Sequence, residues 1–89
     1  MFDVVMTDEA LEQIGDLPLV IRGRIQTIVE RLRDWPDVSG VKALRGELRG
    51  SYRVRTGSYR ILFSVDEARN RVTIFRVADR RDVYERGAA

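Results

Sequence analysis

The chain has 89 residues, 44% of them apolar and 34% charged, which suits one small globular domain (1–89) and excludes a disordered chain. It contains neither Cys nor His, so disulfides, thiolate metal sites and the commonest general base are ruled out, no metal or other cofactor is expected, and any catalysis must use Arg, Tyr, Lys or carboxylates. The net charge of +2 is uneven: residues 1–41 carry four basic and eight acidic side chains, residues 42–89 twelve and six, which points to an anionic partner for the C-terminal half.

Phe2 to Met6 is a short apolar run and reads as an opening strand. Thr7 is placed to cap a helix, with Asp8 and Glu9 in the first turn where the helix dipole favours acids. This helix is expected from about Asp8 to Asp16, burying Ala10, Leu11 and Ile14. Pro18 suits the first turn of a second helix. There Ile21, Ile25, Ile28, Leu32 and Trp35 recur at helical spacing, with Val29 widening the stripe. Arg22, Arg24, Glu30, Arg31 and Arg33 fall on the opposite side and read as a solvated face. Trp35-Pro36 ends the helix, because the residue before a proline is driven out of the helical region. Asp37 to Gly50 is irregular, with Gly40, Gly46 and Gly50 as breakers, Leu44 and Leu48 as expected anchors to the core, and Lys42, Arg45 and Arg49 making it basic.

From Ser51 to Val65 the sequence alternates with a period of two on either side of Gly57-Ser58, the pattern of a β-hairpin. Side chains at i and i+2 leave a strand on the same side, so Ser51, Arg53 and Arg55 share one face and Tyr52 and Val54 the other. Arg60 interrupts an otherwise apolar strand, which is costly unless the charge is partnered. Tyr52 and Tyr59 are expected as core or rim aromatics. Asp66 to Asn70 is a polar turn, Val72 to Ala78 a last strand, and Arg80-Arg81-Asp82-Val83-Tyr84 a second basic cluster. The order implies an α+β fold: an N-terminal strand, a two-helix hairpin and a three-stranded antiparallel meander, with both helices on one face of a single sheet. The open face is left for Arg53, Arg55, Arg60 and Arg80. Fixed arginines near a tyrosine suit a phosphate-bearing ligand.

The run Leu44-Arg45-Gly46-Glu47-Leu48-Arg49-Gly50-Ser51-Tyr52-Arg53-Val54-Arg55-Thr56-Gly57-Ser58-Tyr59-Arg60-Ile61-Leu62-Phe63 closely resembles the central segment of the RelE/ParE toxin superfamily. Val77-Ala78-Asp79-Arg80-Arg81-Asp82-Val83-Tyr84 resembles its C-terminal segment. With the strand-helix-helix opening, the resemblance covers nearly the whole chain. It implies a RelE-like fold and the toxin of a type II toxin-antitoxin system. Members of the RelE branch cleave messenger RNA in the A site of the 30S ribosomal subunit and are silenced by a RelB-like antitoxin. The toxin-antitoxin complex is further expected to bind its own operator through the antitoxin. Members of the ParE branch poison DNA gyrase without the nuclease residues.

Carried over by position, Arg53 and Arg55 match the two basic residues of the first hairpin strand, Arg60 the arginine that holds the scissile phosphate, Arg80 the second arginine and Tyr84 the C-terminal tyrosine. The RelE branch is therefore favoured. Arg60, Arg80, Tyr84 and Arg55 become the candidate catalytic residues of a metal-free endoribonuclease. Arg53, Arg55, Arg49, Lys42, Arg45 and Arg81 become the candidate RNA contacts. There are two departures from the family pattern. Arg replaces Lys at 53 and 55, and Arg is a poor proton donor or acceptor, which shifts proton transfer onto Tyr84. Asp79 stands where His or Lys is common. The readings left open are a gyrase inhibitor and a decayed toxin that only binds its antitoxin. No apolar run reaches the roughly 20 residues of a membrane-spanning helix, and a soluble cytoplasmic protein is expected.

Overall fold

The computed structural model describes residues 1–82. Five strands form one sheet in the order β1-β5-β4-β3-β2: β1 (Asp3–Met6), β2 (Val41–Ala43), β3 (Ser51–Thr56), β4 (Tyr59–Asp66) and β5 (Arg71–Asp79). Strands β2 to β5 are antiparallel neighbours, while β1 runs parallel to β5 at the sheet edge. Between β1 and β2 lie α1 (Asp8–Gly15) and α2 (Leu19–Leu32). The expected α+β arrangement holds, with an edge strand added to the meander. None of the helices among the described residues is long and apolar enough to cross a membrane.

Thr7 caps α1 as its sequence position implies, its Oγ1 accepting from the Ala10 N–H at 3.1 Å. Pro18 sits one residue before α2, at the cap position. The α2 stripe packs Ile25, Ile28, Val29 and Leu32 against Val54, Ile61, Phe63, Val72, Ile74 and Val77 of the sheet. Trp35 lies 4.9 Å from Tyr52 and 5.5 Å from Phe63 between ring centroids, so Tyr52 is a core aromatic.

Three expectations are corrected. Leu11 is 54% exposed. Ala10, Gln13 and Ile14 form the inward side of α1, and Gln13 Oε1 accepts from the Val77 N–H at 2.7 Å, which orients the helix so that Leu11 turns out. The stretch from Asp37 to Gly50 is more regular than its glycines suggest: it contains β2, paired to β3, and a 3-10 turn at Gly46–Leu48. Leu44 and Leu48 are half-buried but do not belong to the helix-side core as described.

One irregularity sets what the open face carries. Between Leu62 and Phe63 the pairing of β4 with β5 shifts: Phe63 faces Ile74, whereas Leu62 faces Arg76. Phe75 is the extra residue of a β-bulge, and the side-chain parity of β5 reverses across it. Val72, Ile74 and Val77 thus all reach the core, although unbroken alternation would send Val77 outward.

Candidate functional site

The face of the sheet away from the helices carries two rows of basic side chains. Lys42 faces Arg53, Arg53 faces Leu62 and Leu62 faces Arg76 across four strands. One repeat nearer the hairpin turn, Arg55 faces Arg60 and Arg60 faces Ala78. Neighbouring strands lie ~4.8 Å apart and same-face residues of one strand ~6.6 Å apart, so these cations form a close lattice. Like charges directly opposite each other destabilise a strand pair. An anion placed between Arg55 and Arg60 would offset that cost.

Arg60 is fixed by the turn it adjoins. Its Nη1 donates to the Gly57 carbonyl at 3.2 Å and to the Tyr59 carbonyl at 3.3 Å. The turn has only two residues, and Gly57 at φ 61° supplies the positive first position such hairpins require. Arg80 follows the end of β5, with its main-chain N–H donating to the Ser58 carbonyl at 2.7 Å, so the turn also locates Arg80 beside the Arg55-Arg60 row. Arg24 of α2, exposed as expected, reaches the same turn: its Nη1 lies 3.4 Å from where a Cβ on Gly57 would sit.

The other candidates divide. Lys42 joins the first row. Arg45 and Arg49 flank the 3-10 turn, at the end of β3 away from Arg60, and are not brought to the cluster. Arg81 is engaged by Asp79, with Nε 3.3 Å from its carboxylate. Asp79 also accepts from the Arg81 main-chain N–H at 3.0 Å and from the Ser58 hydroxyl at 3.2 Å. Tyr84 lies outside the described residues. Sequence reasoning missed Arg76, although the signal used for Arg60, an arginine inside an apolar strand, was present in Ile74-Phe75-Arg76-Val77.

The Arg81 main-chain N–H holds the Asp79 carboxyl below the usual carboxylate range against the opposing effect of desolvation, aided by the Ser58 hydroxyl and the Arg81 side chain. A depressed folded-state pKa contributes stability that is present above the ordinary carboxylate range and is lost as pH falls through the folded value. Asp79→Asn is therefore expected to flatten the acid limb of stability below about pH 5, read as thermal midpoint against pH. An acid limb identical to that of the native protein would remove Asp79 from this account.

Among the described residues no group of three or more acidic side chains is arranged to hold a metal ion. A hollow of about 390 Å³ lined by Phe2, Asp3, Val5, Arg33 and Arg71 lies beside β1, at the end of β5 away from Arg60.

Residues 4–84 match the family described as ParE toxin of type II toxin-antitoxin system, parDE. The chain belongs to this family of toxins. Toxin RelG of Mycobacterium tuberculosis is 44% identical to it over 45 residues, covering 51% of this chain and 52% of that relative, so the match spans about half the relative's length. The RelBE2 toxin-antitoxin complex of the same organism contains a chain that superposes with a TM-score of 0.78 at 28% identity, covering 88% of this toxin and 90% of that chain. The isolated Escherichia coli RelE toxin superposes at 0.75 with 17% identity, covering 89% and 84%, and shares the fold. This toxin is thus RelE-like in fold, with arginine pairs on the sheet face its helices leave open.

Proposed function

We propose that this toxin is a ribosome-dependent mRNA endoribonuclease of the cytoplasm, held silent by a RelB-like antitoxin. One observation carries the reading: Arg53, Arg55 and Arg60 share the open face, with Arg55 and Arg60 directly opposite each other. Two guanidinium groups at that spacing, one of them held by the turn, suit a phosphate, which each can grip by paired N–H donors.

In the proposed reaction the RNA 2′-hydroxyl attacks the adjacent phosphorus while the bond to the 5′-oxygen breaks. The products are a 2′,3′-cyclic phosphate and a 5′-hydroxyl. Tyr84 is assigned as the base that takes the 2′-hydroxyl proton, a role that positive charge close to a phenol would favour. Water protonates the departing 5′-oxygen. Arg60 and Arg80 stabilise the charge gathering on the phosphorane, and Arg53 and Arg55 hold the backbone. A site without His has weak intrinsic acid-base power, so positioning by the ribosome supplies much of the rate. The operator is reached through the antitoxin.

The match to the ParE family favours one rival, a gyrase inhibitor that needs no catalytic group. Primer extension on a defined message, free and ribosome-bound, separates the two when native protein and Tyr84→Phe are compared. The nuclease reading expects cuts on the ribosome alone, greatly weakened in Tyr84→Phe. No cuts, together with inhibition of supercoiling in a ribosome-free assay, would establish the rival.

A further inference from the structure

Unbroken alternation along β5 would place Arg76 on the side of Ile74, in the core. The bulge at Phe75 turns it to the open face, opposite Leu62. Bulges beside functional sites serve to re-aim a side chain in this way. Leu62 is fully buried although it lies on the open face, and it belongs to no part of the helix-side core as described. Arg53 and Arg76 flank it in register, and their aliphatic stems are suited to cover an apolar floor while the guanidinium groups reach outward. Arg76 is half-buried and its Nε is shielded from solvent. The open-face positions of β2, β3, β4 and β5 from Ser51, Ser64 and Thr73 to Arg55, Arg60 and Ala78 include five cations and no carboxylate.

We propose that Arg76, with Arg53, binds the RNA phosphate next to the scissile one. The inference rests on the nuclease reading above and extends it by one phosphate. The row Arg53-Leu62-Arg76 lies one side-chain repeat, ~6.6 Å, from the Arg55-Arg60 row, so an extended RNA strand crossing both rows presents successive phosphates to successive rows. Arg76 is a binding residue in this assignment and takes no part in proton transfer.

The test couples one protein charge to one RNA charge. Single-turnover cleavage is measured on ribosome-bound messages in which one phosphate flanking the scissile position is replaced by a neutral methylphosphonate. For the native toxin, neutralising the phosphate on one side is expected to slow cleavage about tenfold, and for Arg76→Gln less than about twofold, a non-additivity that reports direct contact. Arg76→Met, which keeps the stem beside Leu62, carries the same measurement if Arg76→Gln does not fold. Equal slowing in native and variant proteins overturns the inference while leaving the nuclease reading intact, as does native cleavage indifferent to both flanking charges. Loss of antitoxin affinity with unchanged phosphate coupling also overturns it and makes Arg76 an antitoxin contact. A native protein that never cuts defeats the nuclease reading itself.

Discussion

Arg60→Ala is expected to lower single-turnover cleavage of ribosome-bound message about 10²- to 10³-fold, the usual consequence of removing one preorganised donor from a developing negative charge. The expectation rests on how Arg60 is held. Carbonyls of Gly57 and Tyr59 fix one edge of its guanidinium, and Arg55 stands directly across the strand pair. A group already oriented loses little on meeting the phosphorane, which is why its deletion is costly in rate. Arg60→Lys is expected to recover only part of the loss, because an ammonium cannot reproduce the planar fork. The fold should suffer far less. Arg60 is only half-buried, and removing it relieves a like-charge pair, so the thermal midpoint is expected to move by less than about 8 °C, the equivalent of roughly 1 kcal/mol in a domain of this size. Undiminished cleavage by the folded variant would sink the role given to Arg60.

The parts of this molecule that could be read from its sequence are those in which one period governs many residues. The α2 stripe from Ile21 to Leu32 repeats over three turns, and the two hairpin strands alternate on both sides of Gly57-Ser58, so the core face and the Arg53-Arg55 face were legible. The failures share a cause: each depends on a partner distant in sequence. The bulge at Phe75 is set by the pairing of β5 with β4, so although an arginine inside the apolar run Ile74–Val77 was visible, the face it takes was not. Leu11 turns outward because Gln13 must reach the Val77 N–H, a contact between residues 64 apart in sequence. Strand β2 has three residues with Lys42 outward, too short for a period to register, and exists through its pairing with β3. Arg24 is solvated as its place on α2 implies, but its approach to the hairpin turn at Gly57 joins residues far apart in sequence.

Phe63→Ala is expected to have the largest effect on stability, about 3–5 kcal/mol, since it removes a fully buried aromatic and leaves a cavity that the surrounding structure closes only in part. Phe63 is the largest of the completely buried side chains. It meets Trp35 edge-on at 83° and lies 5.7 Å from Tyr52, geometries that add to simple burial. A chain of this length has a total stability of roughly 5–13 kcal/mol, so the substitution removes a large share of it. The thermal midpoint should fall by about 12 °C or more. Phe63 faces the helices while Arg60 and Arg53 face the other way, so the chemistry of the open face is untouched in the molecules that remain folded. The two substitutions should therefore part company on cooling. Activity of Phe63→Ala is expected to recover at lower temperature as the folded fraction returns, whereas Arg60→Ala stays inactive at every temperature at which it is folded. If Phe63→Ala were fully folded yet inactive, the separation of the core from the arginine face would be wrong.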